Sequence, residues 1–315
     1  MTQVISTQEA KGSVHPTRSK MAVPLTTVHK VEADGVQVFY REAGEPGAPV
    51  VLLLHGFPTS SFMFRELIPR LADRYHVIAP DLPGFGFTEV PARRNYAYSF
   101  DALAHTLEAF TDALGLTRYA IYVFDYGAPT GLRLAMAHPG RVTAIVSQNG
   151  NAYEEGLGDA WGPIRIYWSA PTAENREVLR QNVMTLETTR WQYTHGVANP
   201  EAVAPESYIL DTALFERPGN IEIQLDLFLD YASNVKLYPK FQEYFRKSHP
   251  PPARDLGQER SFLHPSRSRG ISKRSTERAG PVPRYRTFCN SNTCRGDCRG
   301  DEGVPRGVRP IAQCR

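Results

Sequence analysis

Continuous apolar runs alternate with helical patterns along the first half of the chain. The runs at 50–54 and 119–124 predict strands of a sheet that is covered on both faces. The stretches 60–71 and 100–114 carry helical periodicity instead. Further strands are predicted at 26–30, 36–41, 76–79 and 142–147. Strands that alternate with helices predict an α/β fold with a doubly wound, mostly parallel sheet.

The pattern changes at residue 149. From 149 to 235 the chain has helical stretches near 173–185 and 222–231, many aromatic residues and no buried strand. The segment 238–247 then has the pattern of a helix that returns to the sheet. The predicted divisions are a disordered N-terminus at 1–20, a core at 21–148, a helical insertion at 149–235, a return to the core at 236–250 and a separate tail at 251–315.

Asp125 stands where the strand 119–124 turns directly into a predicted helix at 129–138. The small residues Gly127 and Ala128 follow it, as a sharp strand-to-helix turn requires. Such a turn presents a side chain at the carboxyl end of the sheet, where a catalytic nucleophile can stand. The positive end of the helix stabilises an anion there, so Asp125 is predicted to stay ionised. The alternative is that Asp125 only caps the helix.

Three motifs occur in a characteristic order: His-Gly-Phe-Pro at 55–58, Asp-Leu-Pro-Gly-Phe-Gly at 81–86 and Phe-Asp-Tyr-Gly at 124–127. Together they resemble the α/β-hydrolase fold family, and in particular its epoxide hydrolase and haloalkane dehalogenase branch. The resemblance extends from about residue 24 to about 249. It implies an α/β-hydrolase sheet with an inserted helical cap over the active site.

The resemblance implies a reaction through an ester, with no cofactor. Asp125 corresponds to the nucleophile, which attacks a carbon of a small epoxide, haloalkane or ester-like substrate. The backbone N–H groups of Phe57 and Tyr126 correspond to the oxyanion hole. A histidine, oriented by an acid, then activates water to hydrolyse the ester.

Tyr126 departs from the dehalogenase pattern, in which tryptophan usually follows the nucleophile and holds the halide. The departure favours an epoxide, whose oxygen is protonated in the resembling enzymes by cap tyrosines. Candidates for that acid are Tyr153, Tyr167, Tyr193 and Tyr208, and candidates for the substrate pocket are Trp161, Tyr167, Trp191 and Tyr193. For each of them, ordinary aromatic packing remains the alternative.

The tail at 251–315 differs in composition from the rest of the chain. It holds 14 Lys+Arg and 6 Asp+Glu, which leaves 22 and 27 for the remainder, and all four cysteines. Such a composition predicts disorder, because it cannot bury enough apolar surface to offset the ordering entropy. A zinc site or a nucleic-acid-binding tail is the alternative, but the cysteine spacing does not fit a usual knuckle.

The resemblance also implies two further loops that carry a catalytic acid and a histidine, and no histidine of the tail, which includes His264, occupies the expected loop. Reading 255–264 one nucleotide downstream, with free wobble choices, can give Ile-Trp-Gly-Lys-Asn-Asp-Pro-Phe-Phe-Ile. Treating 281–289 alike can give Gln-Phe-Leu-Asp-Thr-Gly-His-Phe. These are the missing strands and loops in the expected order, so we hypothesise a frame shift near 250–253.

These observations predict a hydrolase that is impaired as written and is either inactive or limited to a single turnover. The alternative is a non-catalytic remnant or a binding protein with a degenerate site. The absence of cysteine before the tail predicts a cytoplasmic protein. The sequence gives no reason to expect a membrane or nucleic-acid partner, and it says nothing of oligomeric state.

Overall fold

A computed structural model describes residues 25–248. It contains one six-stranded sheet in the order β1-β2-β4-β3-β5-β6. The strands are β1 Thr27–Ala33, β2 Val36–Ala43, β3 Val50–Leu54, β4 His76–Pro80, β5 Tyr119–Phe124 and β6 Val142–Gln148. The predicted disordered N-terminus at 1–20 and the tail at 251–315 lie outside the described residues.

The sheet is antiparallel at one side and parallel at the other. β2 pairs antiparallel with both β1 and β4, whereas β3 pairs parallel with β4 and β5, and β5 pairs parallel with β6. The hairpin between β1 and β2 turns at Asp34 and Gly35, which both have positive φ. The predicted doubly wound, mostly parallel sheet is therefore confirmed.

Helices cover both faces of the sheet. Those of the core are α1 Ile68–Leu71, α2 Phe100–Ala113 and α3 Gly127–Ala137, and those that follow β6 are α4 Gly162–Ser169, α5 Ala173–Val183, α6 Leu186–Thr194, α7 Pro205–Phe215 and α8 Asn220–Ser248. The larger apolar cluster joins one sheet face to α2, α3 and α8, and the smaller one covers the opposite face beside α1.

The region after β6 is helical, as the pattern predicted, but the stretches predicted at 222–231 and 238–247 form one helix. α8 runs without interruption from Asn220 to Ser248, past the internal Pro239. Tyr238 and Phe241 are buried on either side of that proline and anchor the helix through it. One helix thus belongs both to the cap and to the core.

Within residues 25–248, no helix is long and apolar enough to cross a membrane.

Candidate active site

A sharp turn between β5 and α3 presents Asp125. Its φ is +46°, in the left-handed region that non-glycine residues rarely adopt outside functional or strained positions. Gly127 is required at the start of α3, because a Cβ there would lie 2.3 Å from the carbonyl oxygen of Leu54. The close approach of helix and strand leaves Asp125 projecting from the sheet edge.

Two backbone N–H groups meet the carboxylate of Asp125. The N–H of Phe57 donates to Oδ1 at 2.7 Å, and the N–H of Tyr126 also donates to the carboxylate. A Cβ on Gly56 would lie 2.4 Å from Oδ1, so this turn can approach the carboxylate only with glycine. The arrangement holds the carboxylate against two backbone donors at the edge of the sheet.

Asp125 is half-buried, and burial raises its pKa to about 6. The hydrogen bonds from the N–H groups of Phe57 and Tyr126 oppose that rise. At neutral pH most of the carboxylate is therefore ionised, as a nucleophile requires. A pKa near the working pH is typical of functional sites.

Two buried side chains hold the turn that carries Phe57. His55 Nε2 accepts from the N–H of Leu82 at 2.9 Å, so the proton is on Nδ1, which lies 3.1 Å from the carbonyl of Gly56. Burial lowers the pKa of His55, which is therefore neutral. Both ring nitrogens are engaged, so His55 positions the turn and has no free nitrogen to act as a base.

Asp81 organises the loop beside that turn. Its Oδ1 accepts from the N–H of Ser61 at 2.7 Å and its Oδ2 from the N–H of Phe87 at 2.8 Å. A Cβ on Gly86 would lie 1.9 Å from Oδ2, which explains the glycine at this place in the motif. The motifs at 55–58 and 81–86 thus build one rigid support for the candidate oxyanion hole.

An aromatic cluster packs around Tyr126, beside the carboxylate. The Tyr126 ring lies 4.9 Å from Phe100, 6.1 Å from Phe57 and 5.7 Å from Tyr231, measured between ring centroids. Tyr231, on α8, also lies 4.7 Å from Trp161. The walls beside Asp125 are therefore apolar except for phenol hydroxyls.

Tyr231 is the phenol of α8 that lies beside the candidate nucleophile. Burial raises its pKa well above the usual value, and the charges of Tyr238 and Asp125 add to the rise. Its hydroxyl is 3.5 Å from that of Tyr238, which in turn accepts from Nδ2 of Asn151 at 3.1 Å. These three residues were not singled out from the sequence, although Tyr231 and Tyr238 are two helical turns apart on one face.

Only one of the predicted pocket residues, Trp161, joins this cluster. The hydroxyl of Tyr167 accepts from Arg176 at 2.7 Å inside the cap. Tyr193 donates to Asp211 at 2.5 Å, and Trp191 stacks on the exposed His195 at 4.2 Å. The structure therefore places Tyr167, Tyr193 and Trp191 in other contacts.

The remaining tyrosine candidates for the acid, Tyr153 and Tyr208, are half-buried. Glu154 and Glu155 follow Tyr153 on the loop after β6 and are exposed. Tyr208 packs against Tyr193 with ring centroids 6.2 Å apart.

The histidines of the described region other than His55 are engaged away from Asp125. They pair with carboxylates or stack on aromatic rings, as seen for His29, His76, His105, His138 and His195. The same region, 25–248, contains no group of three or more His, Cys, Asp or Glu side chains arranged to hold a metal ion. Within these residues, Asp125 has no base at its side.

Buried Arg133 ties the elbow helix α3 to α8. Its NH1 donates to Oδ1 of Asn234, and its Nε donates to the carboxylate of Asp101 at 2.6 Å. NH2 donates to Ser233 at 3.1 Å. Ser233 and Asn234 lie two and three residues beyond Tyr231, so this guanidinium sets the position of α8 relative to the elbow.

Comparison with known proteins gives a consistent result. The family described as alpha/beta hydrolase fold matches residues 49–190. An uncharacterized hydrolase of Saccharomyces cerevisiae is 52% identical over 229 residues, which are 71% of this chain and 78% of that protein. Epoxide hydrolase A of Mycobacterium tuberculosis is 39% identical over 122 residues, 38% of each chain.

Solved structures agree at the level of the fold. The crystal structure of haloalkane dehalogenase DbeA from Bradyrhizobium elkani superposes with a TM-score of 0.53 at 22% identity, over 70% of this chain and 76% of that one. At this identity the likeness concerns architecture alone. It extends beyond the span 49–190 and includes helices that follow β6.

Proposed function

Because this chain belongs to the alpha/beta hydrolase fold family, we propose that it opens a small apolar electrophile, best represented by an epoxide, through an ester at Asp125. The single observation that carries the proposal is the carboxylate held by two backbone N–H groups. Those donors orient the carboxylate, with Oδ1 held by the N–H of Phe57 at 2.7 Å. The reaction class follows from a carboxylate, and not a hydroxyl, at the elbow.

The first step uses groups that the described chain contains. A carboxylate oxygen of Asp125 attacks an epoxide carbon, the C–O bond of the ring breaks, and the released oxygen takes the proton of the Tyr231 hydroxyl. Tyr231 is assigned this role because its hydroxyl is protonated at neutral pH and its ring packs against Tyr126, next to the nucleophile. The aromatic walls exclude water while the ester forms.

The hydrogen-bond donors near Asp125 favour an epoxide over a haloalkane as substrate. Departing halide needs N–H donors, and Tyr126 stands where dehalogenases usually carry tryptophan. Trp168 packs on Tyr231, but its indole N–H is occupied, since it donates to the carbonyl of Phe228 at 2.7 Å. Phenol hydroxyls remain, and these suit a departing oxygen.

The second step requires a base that residues 25–248 do not place near Asp125. Water must attack the ester carbon and lose a proton, while the N–H groups of Phe57 and Tyr126 stabilise the oxyanion. We infer that the segment 251–315 is the missing base-bearing part read out of frame. Resequencing the coding DNA across codons 250–254 tests this, because one absent or extra nucleotide relative to the source genome is expected.

Intact-mass spectrometry tests the proposed step directly. Purified protein is incubated with excess styrene oxide, quenched in acid and digested. One added reagent mass is expected, mapping to Asp125, with diol released no faster than about 0.1 s⁻¹. Asp125→Asn should carry no adduct, and the matched control Glu154→Gln, which removes an exposed carboxylate near the site, should keep it. A folded wild-type protein without the adduct refutes the nucleophile, and diol release faster than about 1 s⁻¹ refutes the missing base.

A further inference from the structure

A chain of three polar side chains runs from the loop after β6 to the cluster beside Asp125. Asn151 Nδ2 is 3.1 Å from the hydroxyl oxygen of Tyr238, and that oxygen is 3.5 Å from the hydroxyl oxygen of Tyr231. Tyr238 is 1% exposed and Tyr231 is 3% exposed, so water has little access to either hydroxyl. The three residues come from two elements that are 87 positions apart at their contact.

The direction of the hydrogen bonds is fixed at the loop end. The backbone N–H of Tyr153 can only donate, and it lies 3.1 Å from the side-chain oxygen Oδ1 of Asn151. The amide of Asn151 is thereby oriented with its NH₂ group toward Tyr238. The Tyr238 oxygen therefore accepts from Asn151, and its own proton must point elsewhere.

The Tyr238 hydroxyl lies beside that of Tyr231, and either of the two can donate to the other. If Tyr238 donates to the Tyr231 oxygen, the proton of Tyr231 is left free to point at a substrate oxygen. The distance of 3.5 Å is long for such a bond, but catalytic hydrogen bonds often tighten only when substrate is bound. Burial raises the pKa of Tyr238 to about 12, so both phenols are protonated at neutral pH and can serve as donors.

We propose that Asn151 and Tyr238 are positioning residues that direct the Tyr231 hydroxyl proton toward the leaving oxygen of the substrate. Each donor polarises the next one, which strengthens the Tyr231 hydroxyl as a hydrogen-bond donor to the substrate oxygen. The inference rests on the proposed function, because it concerns the protonation that accompanies ester formation at Asp125.

Asn151→Asp is the sharpest perturbation, because it preserves the shape of the side chain and reverses the direction of its hydrogen bond with the Tyr238 hydroxyl. The N–H of Tyr153 still donates to one carboxylate oxygen, and the other oxygen can only accept, so the Tyr238 proton turns toward it. The Tyr238 oxygen then accepts from Tyr231, whose proton is no longer available to the substrate. Tyr238→Phe breaks the chain without reversing it.

The readout is the single-turnover rate of Asp125 ester formation with two reagents, styrene oxide and benzyl bromide. The epoxide oxygen needs a proton as it departs, whereas bromide does not. We expect Tyr231→Phe and Asn151→Asp to slow epoxide opening by roughly 100-fold, and Tyr238→Phe by about tenfold. Bromide displacement should change by less than about threefold in every variant, because nucleophile and oxyanion hole are intact.

A double-mutant cycle separates an effect of Asn151 that acts through the Tyr238 hydroxyl, here called the relay, from a local structural effect of the substitution. In a Tyr238→Phe background, Asn151→Asp has no hydroxyl to turn and should slow epoxide opening no further. An equal loss in both backgrounds, or equal losses with both reagents, overturns the relay and leaves the proposed function standing. Wild-type protein that forms no Asp125 ester with either reagent overturns the proposed function itself.

Discussion

The carboxylate at the elbow is predicted to destabilise the folded protein. Burial raises the pKa of Asp125 from 3.8 to about 6, so folding favours the protonated form. The unfolded state releases this proton near pH 4 and the folded state near pH 6. Stability contributed by this group is therefore present at low pH, falls as pH rises between these values and is level above them.

The size of the effect follows from that difference. A pKa raised from 3.8 to about 6 corresponds to about 3 kcal/mol at pH 8 and to roughly half of that at pH 5. Asp125→Asn cannot ionise, its oxygen can still accept from the N–H of Phe57, and asparagine tolerates a φ of +46°. The variant should therefore be more stable than wild type by up to about 3 kcal/mol at pH 8.

Urea denaturation at pH 8 and pH 5, followed by tryptophan fluorescence, measures the difference. The control is Asp81→Asn, in which both carboxylate oxygens accept from backbone N–H groups. An amide nitrogen cannot accept, so this variant should lose about 1–3 kcal/mol. The same substitution is thus expected to have opposite signs at the two aspartates. An Asp125→Asn midpoint equal to or below wild type at pH 8 would refute the reasoning.

Three further predictions follow from the same site. The rate of ester formation at Asp125 should rise about tenfold from pH 5 to pH 7 and then level, since the ionised fraction follows a pKa of about 6; a rate independent of pH in this range would contradict it. Gly127→Ala should abolish ester formation and destabilise the fold by about 3 kcal/mol, measured by mass and urea denaturation, whereas Gly140→Ala, which meets open space, should be tolerated. Arg133→Leu should lose about 2–3 kcal/mol, because it leaves buried acceptors without a donor, while Arg141→Leu at an exposed ion pair should be nearly neutral.

The sheet and the elbow could be predicted from sequence because their signals are local. The run 119–124 is continuous and apolar, and β5 begins and ends at those residues. The small residue at 127 signals close packing, which the 2.3 Å approach to Leu54 explains. The motif at 55–58 follows β3, and the elbow follows β5. Because β3 and β5 are parallel neighbours, the two lie side by side at the same edge of the sheet.

The donor beside the nucleophile could not be predicted in the same way. Pro239 divides the helical pattern into 222–231 and 238–247, so Tyr231 and Tyr238 fall in separate predicted segments. Packing overrides the local signal, since Tyr238 is buried and the helix continues through the proline. The contact with Asn151 spans 87 positions and leaves no periodic trace.

The residues for the two steps of the proposed reaction lie in different parts of the chain. This separation predicts how long the Asp125 ester survives. Ester formation needs the carboxylate, the two N–H groups and a phenol, all of which lie in residues 25–248. Hydrolysis needs a base that contributes about 10²- to 10⁴-fold. If complete turnover proceeds at roughly 10 s⁻¹, its absence lengthens the life of the ester to between roughly ten seconds and a quarter of an hour. A chase in which reagent is removed and mass is followed over an hour should show the adduct disappear in that window. Loss within one second would mean that a base acts on the Asp125 ester after all.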